Sequence, residues 1–111
     1  MPQPQPAILL PVPAAARYLF LVATPGADLR GALKTLATLV DGEHCVAGLG
    51  ASLVASLGAR IPGLHSFPAL QSTRLAIPST PTDLWLWLRG DDAGELFHRS
   101  RRIEEALAPA F

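Results

Sequence analysis

The chain has 111 residues, half of them hydrophobic and only 16% charged, which is enough for one domain with a modest core and excludes a disordered body. Nine basic and nine acidic residues cancel, so no basic field draws nucleic acid or an anionic membrane surface. No apolar run approaches the roughly 20 residues of a membrane helix. Ala7 to Leu10 is short, framed by prolines and lacks a preceding basic segment, so it does not read as a signal peptide. Cys45 is the single cysteine and excludes an internal disulfide; a cytoplasmic location is the expectation.

Met1 to Pro13 carries prolines at positions 2, 4, 6, 11 and 13 and predicts an extended, polyproline-like arm. Its Ile8, Leu9, Leu10 and Val12 suit apolar surface. Arg17 to Thr24, RYLFLVAT, predicts a strand buried on both faces. Pro25 and Gly26 break it, and Leu29, Leu33, Leu36 and Val40 then recur at helical spacing behind Asp28. Asp41-Gly42 ends that helix. His44 to Leu49 predicts a second strand, and Ala51 to Leu57 a short helix closed by Gly58.

Arg60 to Pro81 holds four prolines and no lasting periodicity, and predicts a long loop. In Thr82 to Arg89, TDLWLWLR, Leu84, Leu86 and Leu88 share one strand face and Trp85 and Trp87 the other. Asp91 or Asp92 caps a final helix whose inner stripe is Leu96, Ser100, Ile103 and Leu107, with Arg99, Arg101, Arg102, Glu104 and Glu105 on the wet side and Pro109 at its end. Leu33, Leu84, Leu86, Leu88 and Ile103 are expected in one core. The order is β-α-β-(α)-β-α, an α+β ferredoxin-like half-domain with its helices mainly on one face of the sheet. In that topology a final strand follows the second long helix and pairs with the outer side of the first; these 111 residues do not include it, and RYLFLVAT is then expected at an open edge.

The arm PQPAILLPVPAAARYLFLV, from Pro4 to Val22, resembles the start of bacterial dye-decolorising (DyP-type) haem peroxidases. VAGLGASLVASLG (Val46 to Gly58) is similar to that family's Gly-x-Gly segment. FPAL (Phe67 to Leu70) and PSTPTDLWLWLRGDD (Pro78 to Asp92) resemble its loop and third strand, and ELFHRSRRIEEALAPAF (Glu95 to Phe111) its second long helix. The resemblance implies the N-terminal half, in one domain from residue 14 to 111 behind the arm at 1–13, of a duplicated ferredoxin-like protein. Such a protein binds haem b and uses hydrogen peroxide to oxidise dyes and phenolics. It also implies that the haem-binding residues lie in a C-terminal half, the expected partner. Accordingly no catalytic, cofactor-binding or metal residue is assigned here; a homo-oligomer is expected, with no nucleic-acid or membrane partner.

Several local patterns imitate sites. Thr38 to Gly42, TLVDG, mimics the family's Gly-x-x-Asp-Gly but begins with threonine and closes the first helix, so Asp41 reads as a turn aspartate. Gly48-Leu49-Gly50 follows a strand and opens a helix like a dinucleotide fingerprint; Leu53 replaces the third glycine and no acidic residue follows at the required distance. His44, Cys45, His65 and His98 fit no zinc spacing, and Ser56, His65 and Asp83 lack a nucleophile elbow. Three roles remain open at this point: a structural half of a peroxidase, a stand-alone ferredoxin-like module that dimerises through RYLFLVAT, and a nucleotide binder using Gly48 and Gly50.

Overall fold

The structure, a computed structural model, describes residues 4–111; the proline at position 2 and its two neighbours lie outside the described residues. Three strands form the main sheet: β1 (Ala15–Leu21), β2 (Cys45–Leu49) and β5 (Leu84–Gly90), in the order β1-β5-β2 and antiparallel throughout. A separate two-residue hairpin, β3 (Leu70–Gln71) with β4 (Ala76–Ile77), projects from the long connection. The helices are α1 (Leu29–Leu39), α2 (Ala51–Ser56) and α3 (Ala93–Leu107). This is the α+β, ferredoxin-like half-domain read from the element order.

Register fixes the two faces of the sheet, because directly paired residues lie on the same side. Leu19 pairs with Leu86, Leu21 with Leu84, and Cys45 with Leu88. These residues share the side on which Leu36 of α1 and Leu96, Ile103 and Leu107 of α3 complete the core. Leu84, Leu86 and Leu88 are fully buried there. Leu33 is partly buried against the same cluster, and the α3 stripe Leu96, Ser100, Ile103 and Leu107 is buried as its spacing predicts. Both long helices start on an aspartate cap: Asp28 accepts from the Gly31 N–H at 3.0 Å, and Asp92 from the Gly94 N–H at 2.9 Å.

Three expectations change. β1 stands at the open edge expected of it, but it is not buried on both faces: Tyr18 is 52% and Phe20 66% exposed. Its apolar outer face is a property of the sequence that the folded chain leaves uncovered. The arm is not extended throughout, since residues 6–9 wind into one 3-10 turn that buries Ala7. Pro6 opens that turn, where its missing N–H costs nothing. The long connection is not wholly irregular either. Ser72 and Leu75 close a turn through Ser72 N–H to Leu75 O at 2.7 Å, which lets β3 and β4 pair.

Candidate functional site: the open aromatic face

The opposite side of the sheet carries Ala16, Tyr18 and Phe20 of β1, Val46 and Gly48 of β2, and Trp85, Trp87 and Arg89 of β5, as the pairings Tyr18–Trp87, Phe20–Trp85 and Gly48–Trp85 require. Tyr18 stacks on both tryptophans, with ring centroids 6.0 Å from Trp85 and 6.3 Å from Trp87; the two indoles are 6.3 Å apart and tilted by 32°. Such offset aromatic contacts are favourable beyond the area they bury. Arg89 extends the row: its guanidinium lies 4.8 Å from the Trp87 ring, a cation–π arrangement. Only 6% of Arg89 is exposed, and its Nη atoms donate to the carbonyls of Glu43 and Pro11. Trp87 Nε1 and Arg89 Nε have no hydrogen-bond partner among the described residues.

The residues that imitate sites are placed apart. Asp41 caps the turn into β2: one carboxylate oxygen accepts from the N–H groups of Glu43, His44 and Cys45 at 2.7–3.0 Å, and the other meets His44 Nδ1 at 2.9 Å. Burial pushes its carboxyl up, but the donors from Cys45, Glu43 and His44 outweigh that and hold it well below the ordinary carboxylate range. Cys45 is buried, and burial first, with Asp41 assisting and Arg99 opposing, raises its thiol. His65 faces the Ser66 carbonyl, Ser56 Oγ donates to Ser52 O, and Asp83 accepts from the Ala23 N–H, so these three form no triad. His98 lies exposed on α3 with its ring edge-on to Phe97 at 5.8 Å.

The three histidines are exposed on separate segments and each faces a different neighbour, so the fold does not bring them together. The described residues also contain no group of three or more metal-binding side chains. Gly50 precedes α2 because its backbone abuts the residues leading into β5: its N–H donates to Asp83 O at 2.8 Å, and a Cβ there would collide with the Thr82 carbonyl oxygen. That close approach accounts for the glycine without a phosphate, and α2 has only six residues.

The residues missed from the sequence are Arg89 and Gln5. Arg89 stands in phase with Trp85 and Trp87, a signal that it belongs to their face. Gln5 sits between two prolines, as does Gln3, and these two amides are the only polar side chains of the arm.

No family model matches the sequence, and no curated protein matches it. Solved structures do. DypB from Rhodococcus jostii is 30% identical over 97% of this chain and 39% of its own, with a TM-score of 0.76. Variants of that DypB were solved in complex with heme. The encapsulated DyP-type peroxidase of Mycobacterium smegmatis is 26% identical, with 99% of this chain and 40% of that one covered at a TM-score of 0.83. A dye-decolorizing peroxidase from Bacteroides thetaiotaomicron, 19% identical with 96% and 40% covered at a TM-score of 0.77, shares the fold. The likeness read from the residues is thus shown in three dimensions: the chain matches a ferredoxin-like half-domain of DyP-type peroxidases. It spans about 40% of the length of these structures.

Proposed function

We propose that this chain is the N-terminal structural half of a haem b-dependent DyP-type peroxidase, with residues 1–13 as its arm and 14–111 as its one domain. The observation that carries the reading is the 30% identity to DypB over nearly the whole chain and two-fifths of that protein. In this reading the haem ligands belong to a C-terminal ferredoxin-like half. This chain packs its open aromatic face on that partner, shaping the outer wall of the haem pocket or an oligomer interface in the cytoplasm. Peroxide-driven oxidation of dyes and phenolics is then the work of the joined halves. The stacked Tyr18, Trp85 and Trp87, with Phe20 beside them, supply the apolar surface such packing needs.

The test has two arms. Titrated with hemin, the chain should give no saturable one-to-one Soret spectrum and no peroxide-dependent dye oxidation above that of free hemin. Co-expressed with the reading frame that follows residue 111 in its gene, it should co-purify in a haem complex that has both. A one-to-one spectrum from the chain alone, abolished by His44→Ala, His65→Ala or His98→Ala, would sink the proposal. So would a following frame without a histidine-bearing second half. A second reading, a stand-alone ferredoxin-like module that dimerises without catalysis, draws on the outer position of β1, which pairs with β5 alone among the described residues. It predicts a gene that ends at Phe111 and a chain that forms pairs.

A further inference from the structure

The two outer strands of the sheet differ. On β2, the main-chain groups of Cys45 and Ala47 that face away from β5 are already taken. Cys45 N–H donates to Asp41 Oδ1 at 3.0 Å, and its carbonyl accepts from the Gly42 N–H at 2.9 Å. Ala47 N–H donates to Gln5 Oε1 at 2.9 Å, and its carbonyl accepts from Gln5 Nε2 at 2.8 Å. A primary amide has the donor and acceptor of a peptide group. Gln5 therefore gives Ala47 the two hydrogen bonds that a residue of a neighbouring strand would give.

The rest of the arm holds Gln5 in place. Ala7 is fully buried, and its N–H donates to Gly42 O at 2.8 Å. Gly42 adopts a positive φ of 76°, and a Cβ there would press on Pro6 and Gln5. Farther along, the Pro11 carbonyl accepts from the Arg89 guanidinium. The arm thus runs from the β2 edge, past the end of β5, into β1. Pro4 and Pro6 flank Gln5 and have no N–H, so this stretch fills an edge while presenting little ladder of its own.

We propose that residues 4–11 are a strap that closes the β2 edge, so that the sheet accepts a further strand along β1 only. The proposal does not depend on the peroxidase reading. Its consequence is a limit on self-association. Two copies joined β1 to β1 leave the main sheet with only its strapped β2 edges, closed at Cys45 and Ala47, and stop at a pair. A copy with both edges open can add neighbours on each side and grow without closure.

The test uses the full chain and two variants, Gln5→Ala and Gln5→Asn; the second keeps the amide but shortens its reach by one methylene. Amide hydrogen exchange followed by NMR should show Ala47 slow in the wild type and at least tenfold faster in both variants. The amides of β5 should stay unchanged and report that the fold is intact. Light scattering across a concentration series should find the wild type at no more than a pair, with both variants passing at least one association step beyond it. If Gln5→Ala fails to fold, as fast β5 amides would reveal, Gln5→Asn carries the test. Ala47 remaining as slow in a folded variant as in the wild type overturns the proposal. So does a released Ala47 with unchanged mass, or a wild type that already grows past a pair.

Discussion

The two faces of the main sheet are built from the same three strands and do different work. On the helix side, Leu84, Leu86 and Leu88 are fully buried between α1, α3 and the flanking strands. On the other, Tyr18 and Phe20 of β1 stay more than half exposed while Trp85 and Trp87 are only partly covered. Both faces are apolar, yet only the first is buried along all three strands; on the second, Val46 and Arg89 are buried while Tyr18 and Phe20 of the outer strand stay exposed. The lesson is that stability and association are separable here. The leucine face supplies most of the burial that holds the fold, and the aromatic face is surface available for a partner.

The largest effect that could break this comparison is at Leu86, in the centre of the leucine face. Leu86→Ala removes a fully buried side chain among Leu19, Ala47 and the helices and should cost about 2–5 kcal/mol. Chemical denaturation measures it, and a loss below about 1 kcal/mol would mean that the helix-side packing is not the main support.

Next is Asp41, whose carboxylate gathers three main-chain N–H groups beside β2. Asp41→Ala should cost about 1–2 kcal/mol through the lost hydrogen bonds. Its folded carboxyl lies below the ordinary value of about 4. The sign follows: the Asp41 contribution is fully present above about pH 4 and fades as pH falls further, toward the folded value. Wild type and Asp41→Ala should therefore differ in stability at pH 7 and converge in strong acid. A gap that stays constant from pH 7 down to pH 2 would show that the charge plays no part. A third substitution, Asp92→Ala, removes the α3 cap and should cost about 1 kcal/mol, with α3 amides near Gly94 exchanging faster. Unchanged exchange there would show that the cap is dispensable.

The leucine face was legible in the sequence and the aromatic face only half so. Leu84, Leu86 and Leu88 alternate with period 2, and Leu96, Ser100, Ile103 and Leu107 follow the helical period; both patterns point to buried positions, and both aspartate caps stand at the predicted helix starts. RYLFLVAT misled because alternation is absent from it. An apolar residue on each side of a strand says that both sides suit burial, not which side this chain itself covers. Gln5 was illegible for another reason. Its partner, Ala47, is 42 positions away, and a side-chain amide pairing with a strand edge leaves no periodic trace. The β3–β4 pair, at two residues a strand, is too short for any pattern.

The smallest change in stability should come from Phe20, and it sharpens the comparison most. Phe20 pairs with Trp85 on the open face and is 66% exposed, so most of its ring contributes nothing to burial in the isolated chain. Thr, being β-branched, retains a preference for strand while removing the aromatic surface. Phe20→Thr should therefore shift stability by no more than about 0.5 kcal/mol, as surface substitutions do. At the same time it should weaken whatever association uses the open face, because exposed apolar area is what a partner buries. Thermal unfolding and light scattering on the same samples separate the two effects. A midpoint nearly unchanged with a lower mean mass at high concentration places Phe20 in an interface. A loss of stability approaching that of Leu86→Ala would place it in the core instead and erase the division between the two faces.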